Sequence, residues 1–128
     1  MKLALATVVV RDYDEARDWY VEALGFEVRE DTALSATKRW VVVGPPGGEA
    51  GVLLAKASGP DQEARVGDQT GGRVGFFLHV EDFAAAHERL TAAGGALVEG
   101  PRHEPYGTVG VFEDLYGNRW DLIERGEG

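Results

Sequence analysis

Cysteine is absent from all 128 residues. That excludes a disulfide framework, a thiolate nucleophile and every cysteine-ligated metal or iron–sulfur site. Long apolar runs are missing too. The longest, residues 3–10, is far too short to span a bilayer. It follows Lys2 as a secretory leader would, but Arg11, Asp12, Asp14 and Glu15 come at once, with no small-residue cleavage site between. There is no run of Lys or Arg, and the formal net charge is −9, so nucleic acid and anionic membrane surfaces repel the chain. These absences lead us to expect a soluble cytoplasmic protein that partners neither nucleic acid nor membrane.

What is present is ordinary for a globular protein. With 44% hydrophobic and 27% charged residues, the chain has enough apolar mass for a core and is not of the disordered class. Its length fits a single domain over residues 1–128. The 18 glycines sit mostly at segment ends, which predicts many short strands and tight turns.

In chain order, residues 3–10 read as a buried strand. Asp12 or Asp14 then caps a helix whose apolar stripe is Ala16, Trp19, Tyr20, Ala23 and Leu24, ended by Gly25. Residues 26–30, 38–43 and 51–56 read as further strands, and residues 57–71 as the one long loop. The order then repeats: a strand over 73–80, a cap at Asp82, a helical stripe of Phe83, Ala86, Leu90 and Ala93, and Gly94-Gly95. A short strand over 96–99 follows, stopped by Gly100-Pro101, and then a final hairpin. Asp12 to Gly25 and Asp82 to Gly95 each span 13 positions around an amphipathic helix. The chain is therefore α+β, two βαβββ modules, with residues 1–56 as the N-terminal half, 57–71 as linker and 72–128 as the C-terminal half. One half exposes a sheet face that it cannot bury alone, so halves are expected to pair within or between chains.

The final hairpin carries the most unusual residue. Asp114-Leu115-Tyr116-Gly117-Asn118 supplies turn chemistry, and Arg119-Trp120-Asp121-Leu122-Ile123 returns with a carboxylate between large apolar neighbours. Buried alone it is costly, so Asp121 needs a partner, a solvent-facing side, a metal or a substrate.

The duplicated pattern resembles a known family. Its residues here are Val10-Arg11-Asp12, Trp19-Tyr20, Leu24-Gly25-Phe26, and the hairpin Glu113-Asp114-Leu115-Tyr116-Gly117-Asn118 with Asp121-Leu122. Together they resemble the vicinal oxygen chelate superfamily of glyoxalase I, extradiol dioxygenases, methylmalonyl-CoA epimerase, fosfomycin-modifying enzymes and bleomycin-resistance binding proteins. The resemblance implies a curved mixed sheet with an inner cup and helices outside, and commonly a homodimer. It also implies metal ligands at the positions of Leu5, Leu53, Gly75 and Asp121, of which only Asp121 has a donor side chain. One carboxylate does not make a catalytic metal site, so we expect no metal and no cofactor.

If the cup follows those positions, strand alternation assigns its lining. Arg119 and Ile123 share the face of Asp121; Thr7 and Val9 that of Leu5; Gly51 and Ala55 that of Leu53; Phe77 and His79 that of Gly75. Ligand-binding candidates are thus Asp121, Arg119, His79, Thr7 and Phe77, joined by Trp40 and Tyr106 as stacking aromatics and His103 on a loop at the mouth. Each has a plainer reading: an ion pair of Asp121 with Arg119 or another Arg, a strand-end His79, core packing for the aromatics, an exposed loop His103. Three motifs fail. His87-Glu88 has Thr91 where a zinc-protease helix needs His, the glycines of 44–51 lack P-loop spacing, and no base is spaced for Ser35 or Ser58.

Three functions stay open. One is a metal-free protein that sequesters or carries a small organic molecule, aromatic or cationic to suit the acidic chain. Another is a lyase, isomerase or dioxygenase-type enzyme using an atypical metal site or a His79/Asp121 acid–base pair. The last is a domain that only dimerises.

Overall fold

The computed structural model describes residues 1–126, which divide into two compact units, one of Met1–Val66 and one that begins at Gly67. The first contains β1 (Leu5–Val10), α1 (Tyr13–Leu24), β2 (Glu27–Ala33), β3 (Arg39–Gly44), β4 (Gly51–Lys56) and the single-turn α2 (Pro60–Glu63). The second contains β5 (Val74–Val80), α3 (Phe83–Ala92), β6 (Leu97–Glu104), β7 (Gly107–Glu113) and β8 (Arg119–Arg125). Each unit is a four-stranded open sheet, ordered β1-β4-β3-β2 and β5-β8-β7-β6. In each, the first and last strands pair in parallel and the rest antiparallel. The fold is α+β, built of two βαβββ modules.

Both long helices begin the same way. Asp12 and Asp82 stand in extended backbone, and each carboxylate accepts the N–H three residues on, at 2.8 Å from Glu15 and 3.0 Å from Ala85. A cap of this kind contributes about 1 kcal/mol. Gly25, left-handed at φ 71°, ends α1 while its N–H and that of Phe26 return to the Val21 and Tyr20 carbonyls. The buried stripe of α1, Tyr13, Ala16, Tyr20 and Ala23, is matched by buried Val8, Val10, Val41, Val43, Val52 and Leu54 of the sheet. Full burial of side chains this size stabilises by about 1.5–3 kcal/mol each. In the second unit Phe76, Trp120 and Phe112 stack in a row, with centroids 4.5 and 5.8 Å apart. Phe83 of α3 seats over Gly110, where a Cβ would lie 3.0 Å from its ring.

The two modules secure their last hairpin by opposite means. In the first, a bulge in β2 leaves Arg29 as the extra residue and re-aims its side chain. Its guanidinium donates to four carbonyls of the β3–β4 loop: Pro45 and Gly48 at 2.8 Å, Ala50 at 2.9 Å and Glu49 at 3.1 Å. Gly44 and Gly51 leave room for it. In the second, buried Asp114 collects donors inside the turn. It accepts the N–H groups of Tyr116, Gly117 and Asn118 at 3.0–3.1 Å, Asn118 Nδ2 at 3.1 Å and Trp120 Nε1 at 3.3 Å. The motif that carries the family resemblance is thus structural chemistry.

Three segments differ from the sequence reading. The stretch read as loop over 57–71 includes the turn of α2, started by Pro60 where a missing N–H costs nothing. Strand β2 runs on to Ala33, because Arg39 and Trp40 supply partners for Ala33 and Thr32. Strand β6 does not stop at Gly100-Pro101. Two register shifts and a positive φ of 81° at Gly100 absorb the pair, and the strand resumes. This places His103 on a strand rather than a loop.

Candidate functional site

In the first unit, the sheet face away from α1 carries the even positions of β3 and the odd ones of β1 and β4. Thr7, Leu53, Val42 and Glu30 form one row across all four strands, and Leu5 pairs with Gly51. One step along, Val9 pairs with Ala55, and Trp40 with Thr32. The two inner strands, however, pair only from Val41↔Leu54 to Val43↔Val52. Beyond that, Arg39 and Trp40 stay with β2 while Ala55 and Lys56 stay with β1, and the middle of the sheet opens as a wedge.

The wedge has identifiable causes. Arg39 is drawn outward by Asp31, at 2.8 and 3.0 Å, and by Asp14, at 2.8 Å. These bonds, to Asp31 first and Asp14 second, raise its guanidinium pKa. They hold the Asp31 carboxyl below its usual range, through Arg39 first and Arg17 second. The Arg39 backbone N–H, with no β4 residue opposite, donates to the Tyr13 hydroxyl at 3.3 Å. Ala57 N–H meanwhile keeps β4 on β1 through the Val10 carbonyl, at 2.8 Å.

A cavity of about 590 Å³ occupies this wedge, lined among others by Thr7, Trp40, Leu53, Ala55, Ser58 and Gln62. Trp40 is 36% exposed, and its Nε1 donates to Glu30 Oε2 at 2.7 Å, which fixes the indole plane beside the small Ala55 side chain. Of the sequence candidates, Thr7 and Trp40 meet here.

In the second unit the face away from α3 carries two rows. Phe77, Asp121, Val111 and Glu99 form one, and His79, Ile123, Val109 and Arg102 the next. Asp121 is half-buried, and desolvation raises its pKa; Arg102 counters this and Glu99 adds to it. Phe77 is 64% exposed. Gly75 is the extra residue of a bulge, so the strand partner of Asp121 is Phe77 and His79 lies only two residues further on. That is closer than a Gly75 pairing would place it. His79 lines a second cavity of about 420 Å³ with Tyr106, Ile123 and Arg125. Arg119 lies opposite Glu113 at the start of β8. His103 faces the other way: its Nδ1 is 3.2 Å from Thr108 Oγ1, on the side of Glu124, which accepts the α3 N–H of Phe83 at 2.9 Å.

The candidates therefore form two groups, Thr7 with Trp40 in one module and Asp121, Phe77, His79 and Tyr106 in the other. Sequence reasoning missed Glu30, Tyr13, Lys38 and Lys56 around the first cavity, and Glu99 and Arg102 beside Asp121. Pattern gave no signal for them, since each depends on a register shift or on strands that part.

The profile of the Glyoxalase/Bleomycin resistance protein/Dioxygenase superfamily matches residues 2–122. The chain belongs to that superfamily. An uncharacterized protein of Shewanella frigidimarina (strain NCIMB 400) is 50% identical over 119 residues, 91% of this chain and 88% of its own length. The crystal structure of UcmS2 superposes with a TM-score of 0.82 at 36% identity, covering 96% of this chain and 97% of that one. TnmS3, an antibiotic binding protein from Streptomyces sp. CB03234, superposes with a TM-score of 0.78 at 29% identity, covering 98% and 97%.

The chelate that names the resemblance does not fit the residues present. Leu5 and Leu53 offer hydrocarbon, and a Cβ at Gly75 would sit 2.7 Å from the Thr70 methyl. Among the described residues, no group of three or more His, Asp or Glu side chains is placed to hold an ion. No helix among them is long and apolar enough to cross a membrane.

Proposed function

We propose that this protein binds a small planar organic molecule without a metal, sequestering or carrying it as the bleomycin-resistance branch of the superfamily does. The observation that carries the reading is the wedge cavity. Trp40, with its indole held by Glu30, supplies a fixed stacking surface, and Leu53 and Ala55 supply apolar walls. The antibiotic-binding description of TnmS3, similar over nearly the whole chain, supports the same reading. A thermal-shift screen of planar aromatic compounds tests it: a binder raises the melting temperature of the wild type and not of Trp40→Ala. The absence of any such compound from a broad panel counts against the proposal. Metal analysis of protein purified without chelator is expected to show no stoichiometric ion. The protein is proposed to be cytoplasmic and homodimeric; sedimentation at the monomer mass removes the second part.

One observation favours a second reading, a lyase, isomerase or dioxygenase-type enzyme. Asp121, held toward its protonated form by desolvation, shares an open face with His79 on the adjacent strand. Turnover lost in both Asp121→Asn and His79→Gln, but kept in Trp40→Ala, would place the enzyme first.

A further inference from the structure

The charge of the wedge cavity is opposite to that of the chain. The sequence holds 22 carboxylates against 13 Lys and Arg, yet among the described residues no Asp or Glu lines the cavity, while Lys38, Arg39 and Lys56 do. Arg39 is already neutralised by Asp14 and Asp31. The two lysines are not. Among the described residues, ion pairs engage Arg11, Arg17, Arg29 and Arg39 of this unit, and neither lysine ammonium takes part in one. The chain has three lysines in all, Lys2 being the other, so two of the three converge on one cavity. They approach from opposite sides of the wedge: Lys38 precedes β3 in the hairpin, and Lys56 ends β4. Ser58, Gln62 and Thr37 add uncharged polar groups around the same space.

We infer that the ligand of this cavity is an organic anion with a planar body, an aromatic carboxylate, phenolate or sulfonate, whose ring lies on Trp40 and whose charge sits between Lys38 and Lys56. This rests on the small-molecule reading above and deepens it. It also reverses the expectation, drawn from the net charge, that an acidic chain should prefer cations. A charge of −9 governs the approach of a ligand from a distance, but screening confines that field to about 8–10 Å. Within the cavity the charged side chains of the lining decide: among the described residues Lys38 and Lys56 carry no ion pair, and the Glu30 carboxylate, outside the lining, is bonded to the Trp40 indole N–H.

Three probes of one shape separate the possibilities: 1-naphthoate, neutral 1-naphthalenemethanol and 1-naphthylmethylammonium, each titrated calorimetrically into the full chain. The naphthoate is expected to bind about ten-fold or more tighter than the alcohol, and the ammonium weakest. Lys38→Met with Lys56→Met should abolish that preference, so that the naphthoate binds no tighter than the alcohol to the same variant. Both side chains are outside the core, so the variant folds; its melting temperature without ligand checks this. Trp40→Ala should weaken all three probes alike. Equal binding of the anion and the alcohol, or tighter binding of the ammonium, overturns the anion assignment and leaves the small-molecule reading standing. Naphthoate binding unmoved by the lysine substitutions also overturns it. Failure of all three probes to bind removes both.

Discussion

The central ladder of each module marks where two copies of one topology part ways. In the second module β7 and β8 pair without a break from Gly107↔Arg125 to Glu113↔Arg119. In the first, the equivalent strands β3 and β4 hold together only between Val41↔Leu54 and Val43↔Val52 and then diverge. Strand order, helix caps and direction of pairing are the same. What differs is the set of side chains at the strand ends. Arg39 is pulled toward Asp31 and Asp14, and Tyr13 substitutes its hydroxyl for the missing ladder acceptor. In the second module the Gly126 N–H instead extends the closed end, to the Tyr106 carbonyl at 2.9 Å. A duplicated sheet thus opens its central ladder in one copy, beside a few surface ion pairs and around the larger of the two cavities described, with no change in topology.

The closed ladder is the more fragile of the two to a single change. Asp114→Ala leaves the N–H groups of Tyr116, Gly117 and Asn118 and the Trp120 indole without their acceptor. Several of these are buried, and the loss is expected to be about 3 kcal/mol, seen as a melting temperature lower by roughly 10 °C. A change within about 0.5 kcal/mol would show that water replaces the carboxylate and that the turn is not what closes the ladder.

The open ladder is probed by Tyr13→Phe, which removes only the acceptor of the Arg39 N–H. A cost of about 1 kcal/mol is expected, with faster hydrogen exchange at the Arg39 amide. Exchange that stays slow would mean that β3 re-pairs with β4, and the wedge would close with it.

A smaller effect comes from Asp31, whose carboxyl is held low by Arg39 and then Arg17. A carboxylate with a lowered pKa contributes stability that is present above its unfolded value and lost as pH falls through the folded one. Asp31→Asn should therefore cost about 0.5–1 kcal/mol at neutral pH, discounted for exposure and salt, and nothing at a pH below both values. Urea titrations at pH 7 and at strongly acidic pH check the difference.

The smallest effect, and of opposite sign, belongs to Asp121. Desolvation raises its pKa, so its stabilising form is the protonated one, fully present below the unfolded value and lost as pH rises through the folded value. Asp121→Asn should raise the melting temperature slightly at neutral pH and leave it unchanged in acid. A destabilising result at neutral pH would mean that Arg102 outweighs the desolvation.

The sequence by itself determined the repeat. Apolar spacing, the caps at Asp12 and Asp82, and the glycines after each helix are local signals of period and φ, and they fixed two βαβββ modules and most strand positions. Alternation also assigned the open face of β1, β4 and β8 once one residue on each was placed. Bulges defeated that logic wherever they occurred, because one inserted residue shifts every later partner: Gly75 moved Asp121 to Phe77, and Gly100-Pro101 carried His103 onto β6. Only the tertiary structure decided that β3 and β4 part and that Lys38 and Lys56, 18 positions apart, face one cavity. Net charge sums the whole chain, whereas a cavity responds to the few charges within a Debye length that no neighbour has neutralised. That local balance depends on which side chains meet, and only the folded chain brings them together.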